Sequence, residues 1–371
     1  MGKIITFVKT HAVVLIAWAI AAASVIFVPI DGEYINYFDF STLACLFLTL
    51  LVVGAFSGIK TFEIISRKIV MKLKNTRRLV MAVVFITYIG SMILANDMAL
   101  ITFLPLGWMC LKKSDKTRYT AFTFIMQNVA ANLGGMLTPF GNPQNLYLFS
   151  HFGIPAGEFM LTMLPPFLLS LALIVACCFF VKREPLELKD EEVYAFRPVR
   201  TAVYSVLFAV SVLAVFRVFP WYYALAGVSI AVLIADHKAF AKVSYSLLLT
   251  FCAFFIISGN VARIEAVRTF LEKLTARNTL LSATLSCQVI SNVPTAVLLS
   301  RFVTDYAELL VAVNIGGVGT LVASLASLIT FGKYREAEPA KTRFYLGLFS
   351  AINFGFLAVL LGFELILFYV I

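Results

Sequence analysis

Apolar runs long enough to cross a bilayer recur along this chain, parted by short polar stretches. A helix needs about twenty apolar residues to span the hydrocarbon core. The runs predict full spans near residues 11–30, 41–59, 119–150, 160–181, 200–219, 222–236, 243–260, 304–332 and 344–370. Two further elements, near 78–111 and 279–301, break at an asparagine in their middle, and each limb looks short for a full span. They are predicted as re-entrant hairpins that enter and leave on one side.

The breaks come in pairs. Ala95-Asn96-Asp97-Met98 is followed by Asn132-Leu133-Gly134-Gly135-Met136-Leu137-Thr138-Pro139-Phe140-Gly141-Asn142-Pro143-Gln144-Asn145. Ser291-Asn292-Val293-Pro294-Thr295 is followed by Asn314-Ile315-Gly316-Gly317-Val318-Gly319-Thr320. An earlier match pairs Phe56-Ser57-Gly58 with Ile257-Ser258-Gly259. Interrupted hydrophobic segments at corresponding places in two halves are the best sequence pointer to a secondary transporter and its site. One predicted span separates the halves, so the repeats are expected to be inverted. The predicted fold is an all-α polytopic membrane protein built from two inverted-topology repeats, each with a re-entrant hairpin and a broken helix.

Composition agrees with the pattern. The chain has 371 residues, 61% hydrophobic and only 13% charged, which excludes an ordinary soluble domain. Its longest polar stretch, Lys182 to Arg200, is too short to fold alone. The net charge of +10 would fit nucleic acid, but its placement points to a bilayer. Lys3 and Lys9, then Lys60 to Arg78, Lys112 to Arg118, Lys182 to Arg200 (with Lys189), Lys238 and Lys242, and Lys333 to Arg343 fall in alternate loops. Such a bias places the N-terminus in the cytoplasm, and an odd count of full spans then puts the C-terminus outside. Arg263, Arg268, Lys273 and Arg277 depart from the rule, mixed with Glu265 and Glu272. The segment Thr61 to Lys74 occupies the matching place in the first half. Lys60 to Arg78 reads as an interfacial helix facing anionic lipid. No cleavable signal is expected, since the first span has no A-x-A exit. The six cysteines show no metal or CxxC spacing and read as small buried apolar residues.

Irregular backbone at membrane depth persists only where it is buried or lines a cavity. A broken helix offers a positive N-terminal end for an anion and free carbonyls for a cation. The candidate substrate contacts are therefore Asn96, Thr138, Asn142, Asn145, Asn292, Thr295, Thr320 and Ser324, with Ser327 beside them. The candidate ligands of a coupling cation, sodium or a proton, are Asn96, Asp97, Asn132, Gly135, Asn292, Asn314 and Gly317. Asp97 is the acid nearest the centre of a predicted membrane element, where ionisation costs roughly 2.5–3.5 kcal/mol on insertion scales. A paired cation or a bound proton offsets that cost. Val293 stands at the matching place, so the two sites are expected to differ.

Plainer readings accompany these. Asparagine and glycine in membrane helices often serve packing alone, and Asp97 could be a structural hydrogen-bond partner. Glu364 lies near the outer end of the last span and is expected to snorkel to the interface. His11, His151 and His237 sit at span ends, and Cys287 and Gln288 are expected to pack. No covalent cofactor and no nucleic-acid partner are expected. The chain has no His-Glu-x-x-His, acid pair or Gly-x-Ser-x-Gly on a span, as an intramembrane enzyme would need, and no Walker A loop. Inverted interrupted repeats favour a carrier over a channel.

Asn96-Asp97 within Leu94 to Pro105, the run Leu137 to Asn145 and Gln288-Val289-Ile290-Ser291-Asn292-Val293-Pro294 resemble the arsenite-permease and citrate-transporter-like families of the ion transporter superfamily. The resemblance covers nearly the whole chain. It implies a homodimer with a scaffold part, about 1–77 and 200–278, and a transport part, about 78–181 and 279–371, that moves like an elevator. In the sodium/dicarboxylate branch, Ser-Asn-Thr hairpin tips bind sodium and a substrate carboxylate. The tips here are Ala95-Asn96-Asp97 and Ser291-Asn292-Val293, and the Asn-Asp form is reminiscent of arsenite permeases and some sodium/proton antiporters. The expected function is import of a small anion, with a di- or tricarboxylate such as citrate or succinate favoured, coupled to sodium or protons in the inner (plasma) membrane. The alternatives are an arsenite or oxyanion efflux permease and a sodium/proton antiporter.

Overall fold

A computed structural model describes residues 12–187 and 195–370. Lys3, Lys9, His11 and Lys189 lie outside the described residues. Within them the architecture is all-helical. Helix α1 covers Ala12–Ser24, α2 Phe40–Gly58, α3 Thr61–Val70, α4 Thr76–Leu94, α5 Asn96–Lys113, α6 Thr120–Gly134, α7 Pro143–His151, α8 Ala156–Cys178, α9 Pro198–Val215 and α10 Trp221–Asp236. The second half runs α11 Tyr245–Arg263, α12 Glu265–Arg277, α13 Thr279–Ile290, α14 Asn292–Leu299, α15 Tyr306–Ile315, α16 Leu325–Ala337 and α17 Thr342–Tyr369. Among the described residues, seven helices are long and apolar enough to cross a membrane. The chain is a multi-pass membrane protein.

The order from α2 to α8 recurs from α11 to α17: a long apolar helix, an amphipathic helix, a helical hairpin, an interrupted helix and a final long helix. The same local chemistry starts each hairpin. Asn75 caps α4 by accepting from the Arg78 N–H at 2.9 Å, and Asn278 caps α13 by accepting from Leu281 at 2.6 Å. An asparagine N-cap satisfies a backbone donor that the first turn leaves open. Two expectations about length change. The limbs of the first hairpin, α4 and α5, have 19 and 18 residues, and α4 alone is long and apolar enough to span. The charged flanks Arg77-Arg78 and Lys112-Lys113 lie within helix, so the apolar run understates its length. The second hairpin is short, with limbs of 12 and 8 residues. In the first predicted span, helix α1 stops at Ser24 and gives way to turns.

Burial sorts the helices. In α2, 72% of the apolar window is buried inside the protein, against 22% for the element beginning at Trp221. Helix α2 is thus a central post, packed on α7, α9, α10 and α11. Helices α9 and α10 turn Val203, Val206, Leu213, Tyr222, Tyr223, Ile230 and Ile234 outward, an apolar surface suited to lipid. The six cysteines are free and buried or half-buried, as small apolar residues are. At the end carrying most basic loops, the segment after α8 is laced to the base of the first hairpin. Thr76 N–H donates to the Glu184 carbonyl at 3.0 Å and Leu186 N–H to that of Lys74 at 3.0 Å. The Glu184 carboxylate takes Lys116 at 2.9 Å, the Tyr119 hydroxyl at 2.8 Å, and Arg118. Those donors hold it down at about 2, below the usual carboxylate range.

One charged group is not where the sequence pattern puts it. Glu364 does not snorkel: it is 1% exposed, and neither of its oxygens has a hydrogen-bond partner among the described residues. It lies on the inward face of α17 with Phe356, Leu357 and Leu360, and a glutamate side chain is too short to swing from that face to the interface.

Candidate functional site

The two hairpins turn on non-glycine residues in nearly the same unusual conformation. Ala95 has φ 64° and ψ 150°, and Ser291 has φ 74° and ψ 157°. Such a backbone costs of order 1–3 kcal/mol without glycine and persists only where its surroundings hold it. The restraints are visible and matched. At the first tip the Asn96 N–H donates to the Gly141 carbonyl at 3.1 Å, and the Asn96 Oδ1 accepts from the Asp97 N–H at 2.9 Å. At the second the Asn292 N–H donates to the Ala323 carbonyl at 2.9 Å, and the Asn292 Oδ1 accepts from the Val293 N–H at 2.9 Å. Each asparagine therefore clasps its own turn while its backbone docks on the break of the following helix.

The breaks return the contact. The Thr138 hydroxyl donates to the Met92 carbonyl at 2.8 Å, and the Thr320 hydroxyl to that of Gln288 at 2.9 Å. Both acceptors sit three residues before the tip. In the first break Gly135 and Gly141 face each other so closely that a Cβ on Gly141 would lie 2.3 Å from the Gly135 carbonyl oxygen. Asn145 holds this loop by donating to the carbonyls of Gly135, Met136 and Thr138 at 3.1–3.3 Å. In the second break that task falls to Gln288, which donates to the Gly316 and Val318 carbonyls at 2.9 and 3.2 Å and accepts from the Thr320 N–H at 2.9 Å. Gln288 was expected merely to pack; the structure makes it the second break's anchor, a role signalled by a lone glutamine one turn before the tip. Gly319, at φ 123°, leaves room for it, since a Cβ there would meet the Gln288 Oε1 at 2.1 Å.

The halves interlock through carboxamides. Asn314 on α15 accepts from Asn142 Nδ2 at 3.1 Å and Gln144 Nε2 at 3.5 Å, and donates to Asn145 Oδ1 at 2.6 Å. Asn128 donates to the Ser327 hydroxyl at 3.2 Å, and Ser324 caps α16 through the Ser327 N–H. Asn96 Nδ2 reaches Asn132 Oδ1 at 3.5 Å. A Cβ on Gly317 would lie within 3.5 Å of both Asn132 and Asn292. Asn96, Asn132, Gly135, Asn142, Asn145, Asn292, Asn314 and Gly317 are thus one buried polar cluster. The Thr295 hydroxyl is turned back on the Ser291 carbonyl at 2.8 Å.

Beside this cluster lies a cavity of about 110 Å³, room for several waters at roughly 10–15 Å³ each. It is lined by the first tip (Ala95 to Met98), by Asn142 and Pro143, by Thr49, Leu50 and Val53 of α2, and by Ser244, Leu247, Leu325 and Ile329. Of the candidate residues it takes Asn96, Asp97 and Asn142; Thr138, Asn145, Asn292, Thr295, Thr320 and Ser324 do not line it. Among the described residues its lining has no lysine, arginine or histidine, and Asp97 is the one charged group there. The Asp97 Oδ1 is buried without a partner, as is the Asn142 Oδ1. Neither oxygen has open surface of its own, but both belong to residues of one lining, and such unused acceptors suit a cation or a hydroxyl-bearing ligand. A smaller cavity shares Val53, Leu94 and Met98 and continues to Lys60 and Glu63.

A family model described as citrate transporter matches residues 3–310. An uncharacterized transporter of Methanocaldococcus jannaschii is 32% identical over 80% of this chain and 82% of its own length. An inner membrane protein of Escherichia coli (strain K12) is 30% identical over 72% of this chain and 73% of its own. A silicon efflux transporter of Oryza sativa subsp. japonica is 26% identical over 41% of this chain and 31% of its own.

Proposed function

The chain belongs to the citrate transporter family, and on that premise we propose that it is a cation-coupled secondary transporter that moves a small anion, with a di- or tricarboxylate favoured. The observation that carries the coupling is Asp97, the one charged group among the described residues lining the cavity, with an unpartnered Oδ1. An anion brought to about 4 Å from an ionised Asp97 meets roughly 4 kcal/mol of repulsion per unit charge at an effective dielectric constant of 20. A sodium ion or proton held by Asp97 removes that repulsion, so cargo and cation load together. Asn96 and Asn142 orient the cargo from the same wall. The second tip, with Asn292 but Val293 in place of the acid, supplies neutral ligands only.

The matched order of elements and matched hydrogen bonds support two inverted repeats with re-entrant hairpins. Hairpins and interrupted helices, about 78–181 and 279–371, then form a transport part bound together by Asn314, and about 1–77 and 200–278 form the scaffold. The cavity's place between the first tip and α2 favours an elevator motion of one past the other. The outward apolar faces of α9 and α10 suit a homodimer. The basic loops favour a cytoplasmic N-terminus and an outer C-terminus, and the Escherichia coli relative favours the inner membrane.

A cavity free of basic side chains also favours a second reading, efflux of a weakly charged oxyacid, in keeping with the silicon transporter among the relatives. Thermal stability of the purified protein against carboxylates and oxyanions, with sodium or choline at two pH values, separates the two. Ligand at a hundredfold excess over its dissociation constant stabilises by about 2.7 kcal/mol. A carboxylate shift that needs sodium or low pH, and is lost in Asp97→Asn, is expected. An oxyacid shift indifferent to sodium and to Asp97→Asn refutes the carboxylate symporter.

A further inference from the structure

Glu364 stands outside the cavity, five residues before Tyr369 on α17, with both carboxyl oxygens unpartnered. Asn353, about three turns earlier on the same face, is fully buried and its Oδ1 is likewise unpartnered. The elements packed on α17 are α6, α8, α15, the turn Pro339–Lys341 and α16, whose Phe331 and Tyr334 meet Tyr345 near the end away from Glu364 and whose Lys333 pairs with Glu336. Helix α6 has no ionisable side chain. Helix α8 has Glu158, which accepts from the Tyr306 hydroxyl, and Cys177 and Cys178 at its far end. Helix α15 has Tyr306 and Glu308, and Glu308 accepts from the Tyr369 hydroxyl at 2.6 Å and the Leu280 N–H at 2.9 Å. Lys341 pairs with Glu338 at 3.1 Å, and with Arg343 and Tyr345 it lies toward the opposite end of α17. The two neighbouring acids each hold a tyrosine; Glu364 holds nothing, and α6, α8 and α15 carry no lysine or arginine to pair with it.

A carboxylate inside a membrane protein needs a counter-ion, donors or a proton. Glu364 has neither of the first two. Tyr369 is 49% exposed and ends the last apolar span, and five helical residues rise about 7.5 Å, so the end of the span is about one and a half turns away. We propose that Glu364 is a second proton-binding site, separate from Asp97, which takes one proton from the aqueous phase at the Tyr369 end and returns it there. Its place gives the proton a mechanical address. Tyr369, Glu308 and the first turn of α13 join the last helix to the base of the second hairpin, so charge on Glu364 acts on how α17 seats against that hairpin. The site does not depend on the identity of the cargo.

Infrared spectroscopy of the purified full-length protein, in H2O and D2O across a pH series, tests this without a known substrate. Wild-type and Asp97→Asn proteins should both show the carbonyl stretch of a buried protonated carboxyl. In the Asp97→Asn background it should titrate with pH, shift on deuteration and vanish when Glu364→Gln is added. Should Glu364→Gln fail to fold, Glu364→Asp should retain the band at a displaced frequency. No such band in Asp97→Asn at any pH overturns the proposal, because Glu364 is then ionised. A band that neither titrates nor exchanges also overturns it, because the acid is then a permanently neutral packing group. Loss of cation dependence in Asp97→Asn with the band intact bears on the transport reading alone.

Discussion

Replacing Asn314 with alanine removes the carboxamide that joins the two interrupted helices. Asn145 Oδ1 loses its partner at 2.6 Å and Gln144 Nε2 its partner at 3.5 Å, whereas Asn142 Nδ2 keeps the Asn132 carbonyl at 3.1 Å. A buried polar group stripped of its partner costs about 1–3 kcal/mol in soluble proteins, while interhelical bonds in membrane proteins average nearer 0.6. The Gln144 bond is long, so the sum falls near 2–4 kcal/mol, a drop of roughly 3–5 °C in apparent melting temperature for a chain of this length. Melting in detergent, followed by the monodisperse fraction remaining after heating, reads it. Because Asn314 and Asn145 touch, Asn314→Ala with Asn145→Ala should cost about 1 kcal/mol less than the sum of the two single changes. If Asn314→Ala melts with the wild type, or the two losses simply add, the interlock is not what holds the halves together.

Gly141→Ala should destabilise by about 2 kcal/mol or more, because its Cβ would meet the Gly135 carbonyl oxygen at 2.3 Å. Gly355→Ala, with no atom within 4 Å of the new Cβ, should be neutral or stabilising by up to about 1 kcal/mol; melting of the two variants side by side checks both. The Glu184 carboxylate, held at about 2 against an ordinary 4.5, contributes stability that is present above the ordinary value and lost as pH falls through the lower one. Glu184→Gln should therefore lower the melting temperature at neutral pH and converge with the wild type in acid, which narrows the acid-induced fall over that window. Gln288→Leu should loosen the second break and raise hydrogen exchange at Thr320, while the first break keeps its protection.

The helices were legible because apolar runs and their polar punctuation carry them directly. Asn96-Asp97 and Ser291-Asn292 were readable as tips because consecutive polar residues have no place in an apolar limb. The first hairpin's length was not, since Arg77, Arg78, Lys112 and Lys113 continue the helix past the point where hydropathy stops reporting it. The anchoring by Gln288 depends on a fold-back over 28 residues to Gly316, which no periodicity encodes. The inward turn of Glu364 was hidden for a related reason: a helix running to the membrane surface looks the same in sequence whichever face it buries. The cavity gathers Asp97, Asn96 and Asn142 but not Thr138 or Thr320. Those hydroxyls are spent on main-chain carbonyls, a choice made by break geometry rather than residue type.

The two hairpin tips have the same backbone shape and the same asparagine clasp, yet one presents Asp97 and the other Val293. Two turns of one form, one bearing an acid and the other a valine, are a socket with one terminal live and the other insulated. Val293→Asp would add a second terminal on a backbone that already has the shape to carry it, and moving the acid from 97 to 293 would carry the polarity to the other tip.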